Sequence, residues 1–140
     1  MDNVFIKNGV YLGVSKILIF LIGNFFYSDY RSSVFSLIFD LFVNIYFMYR
    51  AIEEVKSMNQ GNVSFEEGFK ASWLTLALGM TMFDLFVHVI YSFFTKFEFT
   101  EFFYGVVKVL FSMPGNFISG AVFAAIISAI MKKEGIRYKL

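Results

Sequence analysis

The chain has 140 residues, 58% of them hydrophobic, and a mean hydropathy of +0.66. These values exclude a soluble domain, because so short a chain cannot bury that much apolar surface. The net charge of +1 excludes the basic surface that nucleic-acid binding requires, and the absence of cysteine excludes disulfides, iron–sulfur clusters and thiol chemistry. The expected surroundings are therefore the lipid bilayer.

Four apolar stretches are each long enough to cross a bilayer, which takes about 20 residues of helix. We predict that they cover residues 9–27, 32–52, 69–94 and 114–131. With short connections they fill the chain, so residues 1–140 are expected to form a single transmembrane domain. The predicted fold class is all-α: a polytopic membrane protein whose four transmembrane helices pack as a bundle.

Two of the connecting segments carry signals of their own. Residues 53–68 are polar, and Ser64 followed three residues later by Glu67 predicts a capping box that opens the third helix. Residues 98–112 carry one narrow polar stripe on an otherwise apolar helix. The stripe consists of Glu98, Glu101, Gly105, Lys108 and Ser112. We predict an amphipathic helix in the membrane interface before the last span, and the alternative is an outer extension of a spanning helix.

Lysine and arginine are distributed unevenly between the two predicted sides of the membrane. With four spans, both termini and the middle connection share one side. That side holds Lys7, Arg50, Lys56, Lys70, Lys132, Lys133, Arg137 and Lys139. The other side holds Arg31, Lys96 and Lys108. Eight positive residues against three predict that both termini are cytoplasmic.

Ionisable residues at membrane depth are costly, which makes Lys16, Asp40 and Asp84 the most informative positions in the spans. Helical spacing places Asn44 on the face of Asp40, and His88 one turn beyond Asp84. At 1.5 Å per residue the three charges lie at similar depths, so all five side chains can form one intramembrane polar cluster. The cluster is a structural ion pair that fixes helix register, which we favour, or else a proton or ion relay or a polar substrate pocket.

Small residues on the first and last spans predict close contacts between helices, because they allow two backbones to approach. These residues are Gly9, Gly13, Gly23, Gly120, Ala124 and Ser128. They share the face that carries the polar side chains, so this face is expected to turn towards the centre of the bundle.

Two stretches of the chain resemble a known family. They are GNVSFEEGFKASWLTLALGM at residues 61–80 and SMPGNFISGAVFAAIISAIMKKE at residues 112–134. The chain is similar over nearly its full length to the domain-of-unknown-function 4199 family (DUF4199), small four-helix integral membrane proteins of the Bacteroidota. The resemblance implies a multi-pass protein of the bacterial inner membrane. It implies no activity and no catalytic residue.

The sequence contains no nucleophile motif, phosphate loop, dinucleotide fingerprint or diagnostic metal-ligand spacing, so no catalytic residue, metal or cofactor is predicted. The favoured function is a non-enzymatic accessory or structural subunit, whose partner is another membrane protein or further copies of the chain. The alternative is a small transporter or proton-coupled carrier that uses Lys16, Asp40, Asp84 and His88. An enzyme acting on lipid is the third hypothesis.

Overall fold

A computed structural model of the protein describes residues 2–27, 30, 33–96 and 99–137. Within these ranges the chain is helical and has no strand. The helices are α1 (Asp2–Phe26), α2 (Val34–Met58), α3 (Phe65–Leu85), a π-helical segment (Phe86–Tyr91), α4 (Ser92–Lys96) and α5 (Phe99–Arg137). Ser32 and Glu98, at which two predicted segments begin, lie outside the described residues, as do Arg31 and Lys139.

Four helical stretches are long and apolar enough to cross a membrane, which confirms that part of the prediction. They are Asn3–Phe26, Val34–Met58, Phe65–Thr95 and Phe102–Lys132. The third stretch joins α3, the π-helical segment and most of α4 without a break. Large apolar side chains such as Phe25, Phe35 and Phe111 point away from the other helices and stay exposed, as expected of a surface that faces lipid.

The predicted capping box at the start of α3 is confirmed. The hydroxyl of Ser64 accepts a hydrogen bond from the backbone N–H of Glu67 at 3.2 Å. The carboxylate of Glu67 accepts one in return from the backbone N–H of Ser64 at 2.9 Å. Two of the donors that a helix start leaves without a partner are thus satisfied, which fixes where the third span begins.

The last span was predicted to begin at Pro114, but α5 runs through this residue as one helix. Proline has no N–H, so the carbonyl of Leu110 receives no intrahelical hydrogen bond from position 114. Neighbouring polar groups and helices allow such a residue inside a membrane helix. The stretch expected to form a separate interfacial helix is therefore continuous with the last span, as in the alternative considered above.

Helix α3 is central to the packing, since it contacts α1, α2 and α5. A core cluster of Leu12, Met48, Leu76 and Ala124 takes one residue from each of these four helices. Close approach needs glycine at Gly13, where a Cβ would lie 2.9 Å from the Cβ of Met82 and 3.3 Å from the backbone oxygen of Gly79.

Candidate functional site: two separate polar contacts between helices

Lys16 and Asp40 form an ion pair between α1 and α2. The ammonium of Lys16 lies 2.9 Å from Oδ1 of Asp40 and donates to Oδ2 at 3.0 Å. It also lies 2.7 Å from the sulfur of Met80 and 5.0 Å from the centre of the Phe83 ring, both on α3. One side chain therefore ties three helices together at membrane depth.

The two members of this pair differ in their surroundings. The side chain of Lys16 is 2% exposed, whereas that of Asp40 is 40% exposed. The Asp40 carboxylate opens into a cavity of about 240 Å³ between α1 and α2. The cavity is lined by Lys16, Ile19, Phe20, Tyr30, Ser36, Leu37, Asp40, Val43 and Phe83.

Tyr30, in the connection between α1 and α2, lines the same cavity. Partial burial raises the pKa of the Tyr30 phenol, and the negative charge of Asp40 raises it further. Both causes disfavour the phenolate, so the hydroxyl keeps its proton and can donate a hydrogen bond into the cavity. Tyr30 also packs onto Gly23 near the end of α1, where a larger residue would overlap its ring.

Asp84 makes a second polar contact, between α3 and α5. Its Oδ2 accepts a hydrogen bond from the amide of Asn116 at 2.7 Å and one from the hydroxyl of Ser112 at 3.0 Å. Asp84 is 7% exposed. Neither partner is charged, and the ion pairs found among the described residues do not include Asp84. Ser112 and Asn116 are one helical turn apart and flank Pro114, so one face of α5 presents both donors.

The structure therefore divides the predicted polar cluster. Lys16 pairs with Asp40, while Asp84 bonds to α5 instead. Asn44 lies one turn beyond Asp40, and its buried Oδ1 has no hydrogen-bond partner within the described residues. His88 is half buried in the π-helical segment, and its carbonyl oxygen packs directly on Gly105 of α5.

Five of the six small residues predicted to pack lie against other helices, whereas Gly23 packs on Tyr30 of the connection. Gly9 faces Leu78 of α3, and Ala124 and Ser128 of α5 are buried. Two members of the polar stripe before the last span also face other helices. Gly105 packs on the π-helical segment, and Ser112 bonds to Asp84.

Far from the α1–α2 connection, near the start of α1 and the end of α2, the structure shows a contact that was not predicted from the sequence. Glu54 accepts from Lys7 at 2.9 Å and from the buried side chain of Asn8 at 3.0 Å. The nearby carboxylates of the middle connection have local partners: Glu67 belongs to the capping box, and Glu66 pairs with Lys70 one turn later. The described residues contain no group of three or more histidine and acidic side chains able to hold a metal.

Several residues at these contacts were not identified from the sequence as site residues. They are Tyr30, Ser36, Met80 and Asn116, and Ser112 was assigned only to the polar stripe. The i, i+4 spacing of Ser112 and Asn116 was the available signal for the Asp84 contact. Nothing local in the sequence marks Met80 or Tyr30, because their roles depend on how α1, α2 and α3 are arranged.

No protein-family model, curated protein or solved structure matches the chain. The geometry of the two polar contacts is thus the basis for a functional proposal.

Proposed function

We propose that this is a bacterial inner-membrane protein with cytoplasmic termini that acts as a non-enzymatic accessory or structural subunit of a membrane complex. In this proposal the four spans form a bundle, the stretch before the last span reaches the outer interface, and the chain is a member of the DUF4199 family. The excess of positive residues on one predicted side supports the orientation.

One observation carries the proposal: three charged side chains of the spans, Lys16, Asp40 and Asp84, are engaged in two separate helix-to-helix contacts. Lys16 and Asp40 join α1 to α2, and Asp84 joins α3 to α5. A relay needs groups within hydrogen-bonding reach of one another, directly or through water. The described contacts instead fix the positions of helices within this chain, which supports a structural role.

The test is affinity purification of the tagged protein from its native membrane in mild detergent, followed by mass spectrometry. The control is a tagged four-span membrane protein of similar size and unrelated sequence, expressed at the same level. A stoichiometric membrane-protein partner, or a defined oligomer of this chain inside a larger complex, is the expected result. A monodisperse monomer without any enriched partner would overturn the proposal.

A second candidate is a proton-coupled carrier, which the buried Asp84 favours because its partners are neutral. Asp84→Asn keeps an oxygen that can accept from Ser112 and Asn116 but removes the ability to carry a proton. For a carrier, this variant loses uptake or efflux in proteoliposomes and keeps its thermal stability. For a structural contact, any change appears in stability, and substrate flux is absent in the native chain as well.

A further inference from the structure

The structural role of the Lys16–Asp40 pair does not explain the cavity beside it. An ion pair that only fixes helix register would be packed without a cavity beside it. Water next to the pair weakens the attraction between its charges, and lipid next to it leaves the charges without solvation. Here the Asp40 carboxylate stays 40% exposed in a space of about 240 Å³. Acyl chains have no hydrogen-bond donors, so a polar occupant is required at this depth.

The cavity lies near the end of the molecule that holds the α1–α2 connection. Tyr30 belongs to that connection, Ser36 lies in the first turn of α2, and Asp40 is six residues from the start of α2. At 1.5 Å per residue Asp40 is therefore about 9 Å from the helix start. Small polar molecules can enter from this end without crossing the apolar centre of the spans.

The chemistry of the lining selects an occupant. Among the described residues that line the cavity, the fixed charges are one ammonium and one carboxylate, which sum to zero. An ion with net charge would leave that charge without compensation at membrane depth. A zwitterion adds one charge of each sign, and its ends can alternate with those of Lys16 and Asp40, so that each charge has opposite neighbours.

The hydroxyls at the mouth complete the match. Tyr30 and Ser36 both line the cavity, and their hydroxyls have no hydrogen-bond partner among the described residues. They can donate to an anionic group near Lys16, while the exposed face of Asp40 accepts from an ammonium group. The volume of about 240 Å³ is far more than a single water needs and leaves room for a small organic molecule.

We propose that the Lys16–Asp40 cavity is a water-filled binding site for a small zwitterion that carries an ammonium group and an anionic oxygen group. The same chemistry occurs in free amino compounds and in the headgroup of an aminophospholipid. The site can operate whether or not the protein is an accessory subunit.

The absence of cysteine makes the cavity directly testable, because an introduced thiol is the only one in the protein. Ser36→Cys places a thiol in the cavity, and Phe39→Cys places one outside it, about 4.5 Å further along α2. In phosphatidylglycerol vesicles we expect a membrane-impermeant thiol reagent to modify Ser36→Cys at least about tenfold faster than Phe39→Cys, because only a hydrated thiol ionises and reacts. Val43→Cys, which also lines the cavity, replaces Ser36→Cys if that variant does not fold.

The binding step uses glycerophosphoethanolamine as the probe. At ten times its dissociation constant it is expected to slow modification of Ser36→Cys about tenfold, by occupying the site. Ethanolamine and glycerol phosphate, each with one of the two charged groups, are expected to slow it little. The same slowing in vesicles that contain phosphatidylethanolamine, without added probe, identifies a lipid headgroup as the occupant, and slowing by the soluble probe alone identifies a free solute.

Two results overturn the proposal. Equal, slow modification of Ser36→Cys and Phe39→Cys would mean that the cavity contains no water. Fast modification of both Ser36→Cys and Val43→Cys that neither the soluble probe nor the headgroup slows would mean that no zwitterion binds, because Val43→Cys keeps the Ser36 hydroxyl. Circular dichroism and size-exclusion chromatography of each variant show that the comparison is made on folded protein.

Discussion

The unequal burial of Lys16 and Asp40 leads to an unequal response when one of them is replaced. The Lys16 side chain is 2% exposed and the Asp40 side chain 40% exposed. Removing one member of an ion pair leaves the other uncompensated, and the loss depends on how well the remaining charge reaches water. We therefore expect Asp40→Asn to lower the free energy of unfolding more than Lys16→Met does.

The magnitudes follow from what remains around each charge. Asp40→Asn leaves the ammonium against the sulfur of Met80 and the ring of Phe83, and stranding a buried charge costs about 3–5 kcal/mol. Lys16→Met leaves a carboxylate open to the cavity, and because solvent screens it the expected loss is only about 1–2 kcal/mol. The double variant contains neither charge and should lie within about 1 kcal/mol of the native chain.

The assay is the free energy of unfolding of the four proteins in the same bicelles, measured by steric trapping, with far-ultraviolet circular dichroism to verify helix content. Lys7→Met is the matched control, because Lys7 and its partner Glu54 form a pair that is exposed to solvent on the Lys7 side. That variant should change stability by less than about 1 kcal/mol. Equal losses for Lys16→Met and Asp40→Asn, or a double variant whose loss is the sum of the two, would refute the reasoning.

Three further predictions concern other contacts. Gly105→Ala presses a methyl onto the backbone of the π-helical segment, so we expect loss of the monodisperse peak in size-exclusion chromatography, whereas Gly115→Ala, in open space, should behave as the native chain. Because burial and then Asp40 raise the pKa of Tyr30, the unfolded chain ionises first as the pH rises through about 10. The free energy of unfolding is thus expected to fall between that pH and the raised pKa of Tyr30 in the folded protein. Measured at several pH values, this fall should be smaller for Tyr30→Phe than for the native chain. Ser64→Ala removes the N-cap of α3 and should cost about 1 kcal/mol, measured by the same unfolding assay.

The features that the sequence predicted are those determined by neighbouring residues. The capping box needs only Ser64, Glu67 and the backbone between them, so four residues specify it. The apolar stretches are equally local, since length and composition decide whether a helix can cross a bilayer. Glycines on the first span were predicted to face another helix, and Gly13 does contact α3. A glycine on the polar face of a span allows a second helix to approach its backbone closely, so this signal is also local.

The pairing of the charges was beyond the sequence for a geometric reason. Counting residues along each span gives a depth, and Lys16, Asp40 and Asp84 were expected at similar depths. Depth does not give the direction in which a side chain points around its helix relative to the neighbours. Asp84 turns towards α5, where Ser112 and Asn116 supply its hydrogen bonds, and Lys16 turns towards α2. Predicting these pairs would have required knowing which helices are adjacent.

Helix α5 shows how one pattern supports two structures. A polar stripe of period 3.6 predicts a face turned to water, yet glycine and serine at the same spacing also permit close contact between helices. In the stripe before the last span, Lys108 is exposed while Gly105 and Ser112 face the π-helical segment and Asp84. The 39 residues of α5 make about 58 Å of helix, roughly twice the hydrocarbon thickness, so the helix extends beyond the bilayer core while still packing on the third span. Pro114 therefore lies at the level where Asp84 bonds across to α5, within one long helix, and does not mark its start.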